Sequence, residues 1–121
     1  GKGTAYEIIA EFSDFSDDFG LKLRTGENSE TLIKFDYKEK KLILDRSRGE
    51  QPDKKPRKVY LGDIEKLDLR IFVDNSSVEV FVNGGKEVFS SRIFPQKNAD
   101  GIKVFSEENV NVKIEKWEWK D

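Results

Sequence analysis

An all-β fold built as a two-sheet antiparallel sandwich is what this 121-residue sequence predicts, on three observations. Apolar residues recur with a period of two. The runs are about five to eight residues long, and each ends in a cluster of Gly, Asp, Asn or Lys. No stretch has a helical period beyond one turn near Gly62 to Lys66. Many short alternating runs with turn signals about every ten residues are the pattern of an antiparallel sandwich.

The elements follow in order. Tyr6, Ile8 and Ala10 alternate with Glu7, Ile9 and Glu11, and Leu21 and Leu23 flank Lys22. Ile33, Phe35 and Tyr37 alternate with Lys34 and Asp36; Leu42 and Leu44 flank Ile43. A two-residue turn within Lys38-Glu39-Lys40-Lys41 pairs Tyr37 with Leu42, Phe35 with Leu44, Ile33 with Arg46, and Lys34 with Asp45 as an exposed ion pair of little energetic weight. Arg46 and Arg48 continue the inward parity of Leu42 and Leu44. Each guanidinium is therefore expected at the sheet end, on an acidic neighbour or on a ligand, because burying it unpaired is too costly. Arg48 to Lys58 contains two of the three prolines and many charges. It reads as a solvated loop, either a connection between the sheets or part of a binding site.

Leu69 to Pro95 reads as two consecutive hairpins, turning at Asp74-Asn75-Ser76-Ser77 and at Asn83-Gly84-Gly85. A turn centred on Asn75-Ser76 pairs Val73 with Val78, Ile71 with Val80 and Leu69 with Val82, one apolar face. The opposite face carries Arg70, Phe72, Glu79 and Phe81, with a diagonal Arg70–Glu79 ion pair expected between the two Phe. A strand apolar on both sides is usually covered on both sides, here by another domain or subunit or by a long loop. Ile102 and Val104, then Val110, Val112 and Ile114, supply the last alternating runs. Trp117 and Trp119 lie two apart, on one face of a final strand. With Tyr6 and Tyr60 they either anchor the chain end or stack on sugar rings.

The formal net charge is -2, from 22 basic and 24 acidic side chains, which gives no electrostatic reason to expect nucleic acid or a membrane as partner. The length suits one domain over residues 1–121. There is no Cys and no His, which excludes disulfides, thiolate metal sites and His-based nucleophile pairs. No cofactor or metal site is expected. Asp17-Asp18 and Glu107-Glu108 read as solvated turn residues, and Asp74 as the first residue of a β-turn. Gly1-Lys2-Gly3 reads as a cut edge, so a longer parent chain is expected.

Six motifs in order carry a resemblance. They are Tyr6-Glu7-Ile8-Ile9-Ala10-Glu11-Phe12, Gly20 to Arg24, Glu30 to Asp36, Leu44 to Arg48, Leu69 to Phe81, and Ser91 to Pro95. The chain resembles the C-terminal β-sandwich domain of glycoside hydrolase family 32, the invertase, levanase and inulinase enzymes. The resemblance implies a concanavalin-like jelly roll that follows a five-bladed catalytic propeller, with an edge strand or linker before Tyr6. The propeller's Asn-Asp-Pro-Asn-Gly, Arg-Asp-Pro and Glu-Cys motifs do not occur, so no catalytic residue carries over. The expected function is a non-catalytic accessory domain that contacts the propeller through Arg70, Phe72 and Phe81. The fold also resembles carbohydrate-binding module family 66, which implies the alternative of a fructan- or fructose-binding module using Arg46, Arg48, Glu79 and Arg92. A second alternative is a lectin-like protein interaction domain. The parent would act outside the cell or in the periplasm on a polysaccharide, and in the cytoplasm on sucrose.

Overall fold

A computed structural model describes residues 4–26, 29–48, 55–74, 77–92 and 101–120. Ten strands make up these residues: β1 (Thr4–Ser13), β2 (Phe19–Gly26), β3 (Ser29–Asp36), β4 (Lys41–Arg48), β5 (Arg57–Tyr60), β6 (Lys66–Val73), β7 (Ser77–Val82), β8 (Lys86–Arg92), β9 (Ile102–Ser106) and β10 (Asn111–Lys120). The helical turn expected near Gly62 to Lys66 does not form. Gly62 turns at a φ of 77° and β6 opens at Lys66. The strands form two five-stranded antiparallel sheets, sheet A in the order β10-β1-β6-β7-β8 and sheet B in the order β5-β4-β3-β2-β9.

Alternation decides which side chains face inward. Sheet A contributes Tyr6, Ile8, Ala10 and Phe12 from β1, Leu67, Leu69, Ile71 and Val73 from β6, and Val78, Val80 and Val82 from β7, all buried. Sheet B contributes Phe19, Leu21, Leu23, Ile33, Phe35, Leu42 and Leu44. Each large side chain removed from water on this scale is worth about 1.5–3 kcal/mol, so the interdigitated interior holds the sheets together. At one end Phe12, Phe15, Phe19 and Phe35 form a chain of tilted rings, with centroids 4.6 to 5.6 Å apart. Along one edge, Arg57 Nε of β5 donates to the Val88 carbonyl of β8 at 2.5 Å and ties the sheets across. Along the other, Val104 and Val112 stand opposite buried Leu21 and Phe12 yet remain 41% and 42% exposed, so that edge is less well closed.

The β6–β7 register is the expected one, Val73 with Val78, Ile71 with Val80 and Leu69 with Val82. Asp74 closes its turn as anticipated, its Oδ1 accepting from the Ser77 amide at 2.8 Å and from the Ser77 hydroxyl at 3.2 Å; residues 75 and 76 lie outside the described residues. The β3–β4 hairpin departs from expectation. Phe35 pairs with Leu42, Ile33 with Leu44 and Lys34 with Ile43, a shift of two residues. The loop is four residues long rather than two, because Asp36 Oδ1 accepts from the Glu39 amide and Asp36 O accepts from the Lys40 amide. Lys40 takes a left-handed φ of 60° to complete it. A shift of two preserves the faces, so the core is unaffected. The Lys34–Asp45 pair is lost, and Lys34 instead meets Asp18 at 3.3 Å. Asp18 also accepts from the Tyr37 amide at 2.8 Å, so it is a structural junction and not a solvated turn residue.

The segment read as a loop from Arg48 to Lys58 is partly strand. Arg48 ends β4, and Arg57 and Lys58 begin the edge strand β5. Residues 49–54 lie outside the described residues, as do Ile93, Phe94 and Pro95.

Candidate functional site

The outer face of sheet A is built in rows that the register fixes. One row runs Trp117–Glu7–Phe72–Glu79–Ser90 from β10 to β8. The next runs Glu115–Ile9–Arg70–Phe81–Glu87. These residues occupy the positions that alternation would give to water. Ile9, Phe72, Glu79 and Phe81 are nevertheless half-buried, and Glu7 is only 6% exposed.

Glu7 stands between Trp117 and Phe72 in its row. A carboxylate held that far from water requires a partner. Arg70 supplies it, with Nε donating to Glu7 Oε2. The Arg70 guanidinium lies over the Phe72 ring, 5.2 Å from its centroid, and Phe72 meets Phe81 edge-on at 5.7 Å. The pair is lopsided: the Arg70 side chain is 58% exposed. The expected diagonal Arg70–Glu79 pair does not form although the register is the expected one, because Arg70 turns to Glu7 on the neighbouring strand β1.

Glu79 has a different environment. Its carboxyl is held above its ordinary value of 4.5, first by partial removal from water, then by the Glu87 carboxylate, a hydrogen bond with Glu87, and the charge of Asp74. In the register Glu79 stands opposite Ser90 and Glu87 opposite Phe81, in adjacent rows of the same face.

The remaining residues expected at a site are dispersed. Arg46 lies half-buried in β4 of sheet B, whereas Glu79 points outward from sheet A. An irregularity in the β3–β4 ladder sets Leu32 opposite Asp45 and Glu30 opposite Arg48, so the extra residue lies in β4. The alternation that was to carry Arg48 inward therefore breaks there. Arg92 lies opposite Ser77 on β8. The side chains of Arg48 and Arg92 lie outside the described residues. The aromatic residues do not converge either: Tyr6 is in the core under Lys116, Tyr60 is 70% exposed on β5, and Trp117 is on the outer face of β10. In the register Trp117 stands opposite Glu7 and Trp119 opposite Ala5; the side chain of Trp119 lies outside the described residues.

Glu7 and Glu87 are the members of this constellation that sequence reasoning missed. Glu7 occupies an outward position in an alternating strand, the pattern of a wet residue; Ile9 at the same parity was the available sign that this face is not wet. Glu87 escaped notice because a shift in the β7–β8 register between Val80 and Phe81 sets it opposite Phe81. Among the described residues, no group of three or more His, Cys, Asp or Glu is placed to hold a metal ion.

By fold this is an antiparallel β-sandwich domain with a continuous apolar interior and one outer face unlike a wet surface. A family model described as the C terminal of glycosyl hydrolases family 32 matches residues 1–119, and the chain belongs to that family. A levanase of Bacillus subtilis is 39% identical over 125 residues, covering 93% of this chain and 18% of that protein. A sucrose-6-phosphate hydrolase of Staphylococcus xylosus is 38% identical over 111 residues, covering 88% of this chain and 22% of that protein. Among solved structures, the exo-inulinase of Aspergillus awamori superimposes with a TM-score of 0.73 at 25% identity, over 98% of this chain and 25% of that one. The chain thus spans about a fifth of the length of these relatives.

Proposed function

We propose that this chain is the non-catalytic accessory sandwich of a fructan- or sucrose-cleaving glycoside hydrolase, docked on the parent's catalytic propeller through the outer face of sheet A. One observation carries the reading: Glu7 is 6% exposed, paired to Arg70 and flanked by Phe72 and Trp117, on a face over which no further strand layer lies among the described residues. A sheet face meant for water has no use for an ion pair embedded among aromatic rings, whereas an interface core with an Arg and aromatic residues is usual. The relatives support the parentage, since their names are those of hydrolases several times longer than this domain.

Calorimetric titration of the chain with levan, inulin and fructose tests the accessory reading. The expected result is no saturable heat. Saturable binding abolished by Arg46→Ala would replace this reading with that of a fructan-binding module. The docking face is tested by Phe72→Ser, which is expected to raise the solubility of the isolated domain while leaving sugar titrations unchanged.

A further inference from the structure

We infer that Asn83 is a site of spontaneous deamidation, at which the Gly84 amide nitrogen displaces the side-chain nitrogen of Asn83 and the β7–β8 turn becomes isoaspartyl-linked. The chain and water alone balance the step. Gly84 N bonds to Asn83 Cγ, the Cγ–Nδ2 bond breaks, and Nδ2 leaves as ammonia with the proton from Gly84 N. Water then opens the cyclic imide at one carbonyl or the other, giving Asp or isoAsp at position 83. Each requirement of ring closure has a counterpart in the structure. Asn83 is exposed at the hairpin tip, with a left-handed φ of 46°. The attacking residue has no side chain, and a Cβ at Gly84 or Gly85 would meet nothing within 4 Å, so the ring has room. The Gly85 amide donates to the Val82 carbonyl at 3.4 Å, whereas the Gly84 amide has no partner among the described residues.

The hydrogen bond on the Asn83 side chain falls on its oxygen. The Asp68 amide donates to Oδ1 at 2.8 Å, and this fixes the amide orientation, because a backbone N–H requires an acceptor. That donor stands where negative charge develops when Cγ is attacked, and it leaves Nδ2, the departing atom, without a partner among the described residues. Asn111 is the opposite case. Its Nδ2 donates to Asp14 Oδ2, and the next residue is Val112, whose branched Cβ crowds the attacking amide. The same contacts set the consequence for the fold. The Asn83 amide donates to the Asp68 carbonyl at 2.9 Å, so residue 83 extends the β6–β7 ladder one step past Leu69–Val82. Asp at 83 keeps an acceptor for the Asp68 amide. IsoAsp routes the main chain through Cγ, which adds a carbon to the backbone and takes that acceptor out of place.

The site is tested by incubating the folded chain in mildly alkaline buffer, then mapping its peptides by mass and detecting isoAsp by enzymatic methylation. Asn83 is expected to convert about tenfold or more faster than Asn111, which needs only a small difference in barrier. In denaturant the gap should narrow, because Asp14 no longer holds the Asn111 side chain. If Asn83 stays intact in the folded chain and reacts only in denaturant, the native turn blocks the ring and the inference falls. Conversion of Asn111 as fast as Asn83 in the folded chain overturns the argument from the departing atom. The structural consequence is read on the separated isoAsp form beside Asn83→Asp, which has the same charge without the added carbon. The Asp68 amide should exchange about five- to tenfold faster in the isoAsp form, as for the loss of one hydrogen bond. Equal protection in the two forms overturns the loss of the β6–β7 extension.

Discussion

The two outer faces of this sandwich share one architecture and differ in chemistry. On sheet B the outward rows carry Lys22, Lys34, Lys41, Lys58 and Lys103, with the apolar residues Leu32, Ile43 and Phe105 set among them. Lysine stems cover such residues while their ammonium groups stay hydrated, as Lys22 does over the Phe105 ring at 5.7 Å. On sheet A the outward rows have aromatic residues at the centre, with the Glu7 carboxylate buried beside them and the Arg70 guanidinium lying over the Phe72 ring. Both faces contain an ion pair. Lys34–Asp18 on sheet B is partly hydrated on both sides, with side-chain exposures of 33% and 24%. Glu7–Arg70 on sheet A conceals one member almost fully. The comparison teaches that polarity alone does not mark a surface for solvent; the depth at which the charge sits does.

Four substitutions probe this contrast in descending order of effect. Gly20→Ala on sheet B should be the most damaging. A Cβ there would stand 2.1 Å from the Ile33 carbonyl oxygen and 2.9 Å from the Lys34 Cα, both backbone atoms that cannot move cheaply. Thermal or denaturant unfolding should show a loss of about 3 kcal/mol or more, in the range reserved for overpacking against a rigid neighbour. A loss under about 1 kcal/mol would mean that the β2–β3 pair adjusts and that the sheet B face is not rigid.

Arg70→Ala comes next. It leaves the Glu7 carboxylate without its partner, and because Arg70 is itself well exposed the expected cost is about 1–2 kcal/mol, below that of breaking a fully buried pair. Lys34→Ala on sheet B should cost less than about 1 kcal/mol, as for a hydrated pair. Equal costs in the two variants, read from denaturant midpoints, would erase the distinction between the faces.

Glu79→Gln should have the smallest effect and the most telling pH dependence. The folded-state pKa of Glu79 is raised, so between that value and its ordinary 4.5 the folded domain binds more protons than the unfolded chain. This group therefore makes stability fall as the pH rises through that window, and the penalty is complete above it. The variant should be slightly more stable than the wild type at pH 7, with the difference shrinking as the pH approaches 4.5. A variant less stable at pH 7 would show that Glu79 is favourably paired in the free domain.

Much of this was legible in the residues. Strict alternation placed Tyr6, Ile8, Leu42, Leu44, Val78 and Val80 inward. The Asp74 turn and the Val73–Val78 register followed from turn chemistry and parity. The unusual character of the Phe72/Phe81 face was also visible, because both residues violate the wet alternation. Three things escaped. The β3–β4 loop length depended on an Asp36 side-chain cap that competes with a shorter turn. β5 was concealed by charged residues because an edge strand needs little apolar content. The break in alternation before Arg48 left no local signature.

The sequence by itself determined the fold class, the core faces and the family, since alternation and turn residues act over a few positions and the motifs stand in order along the chain. Only the tertiary structure decided what the sheet A face is. Glu7, Arg70 and Trp117 come from strands far apart in the chain, and they meet because β1 inserts between β10 and β6. An ion pair gains its meaning from burial, and burial depends on which distant strand becomes the neighbour.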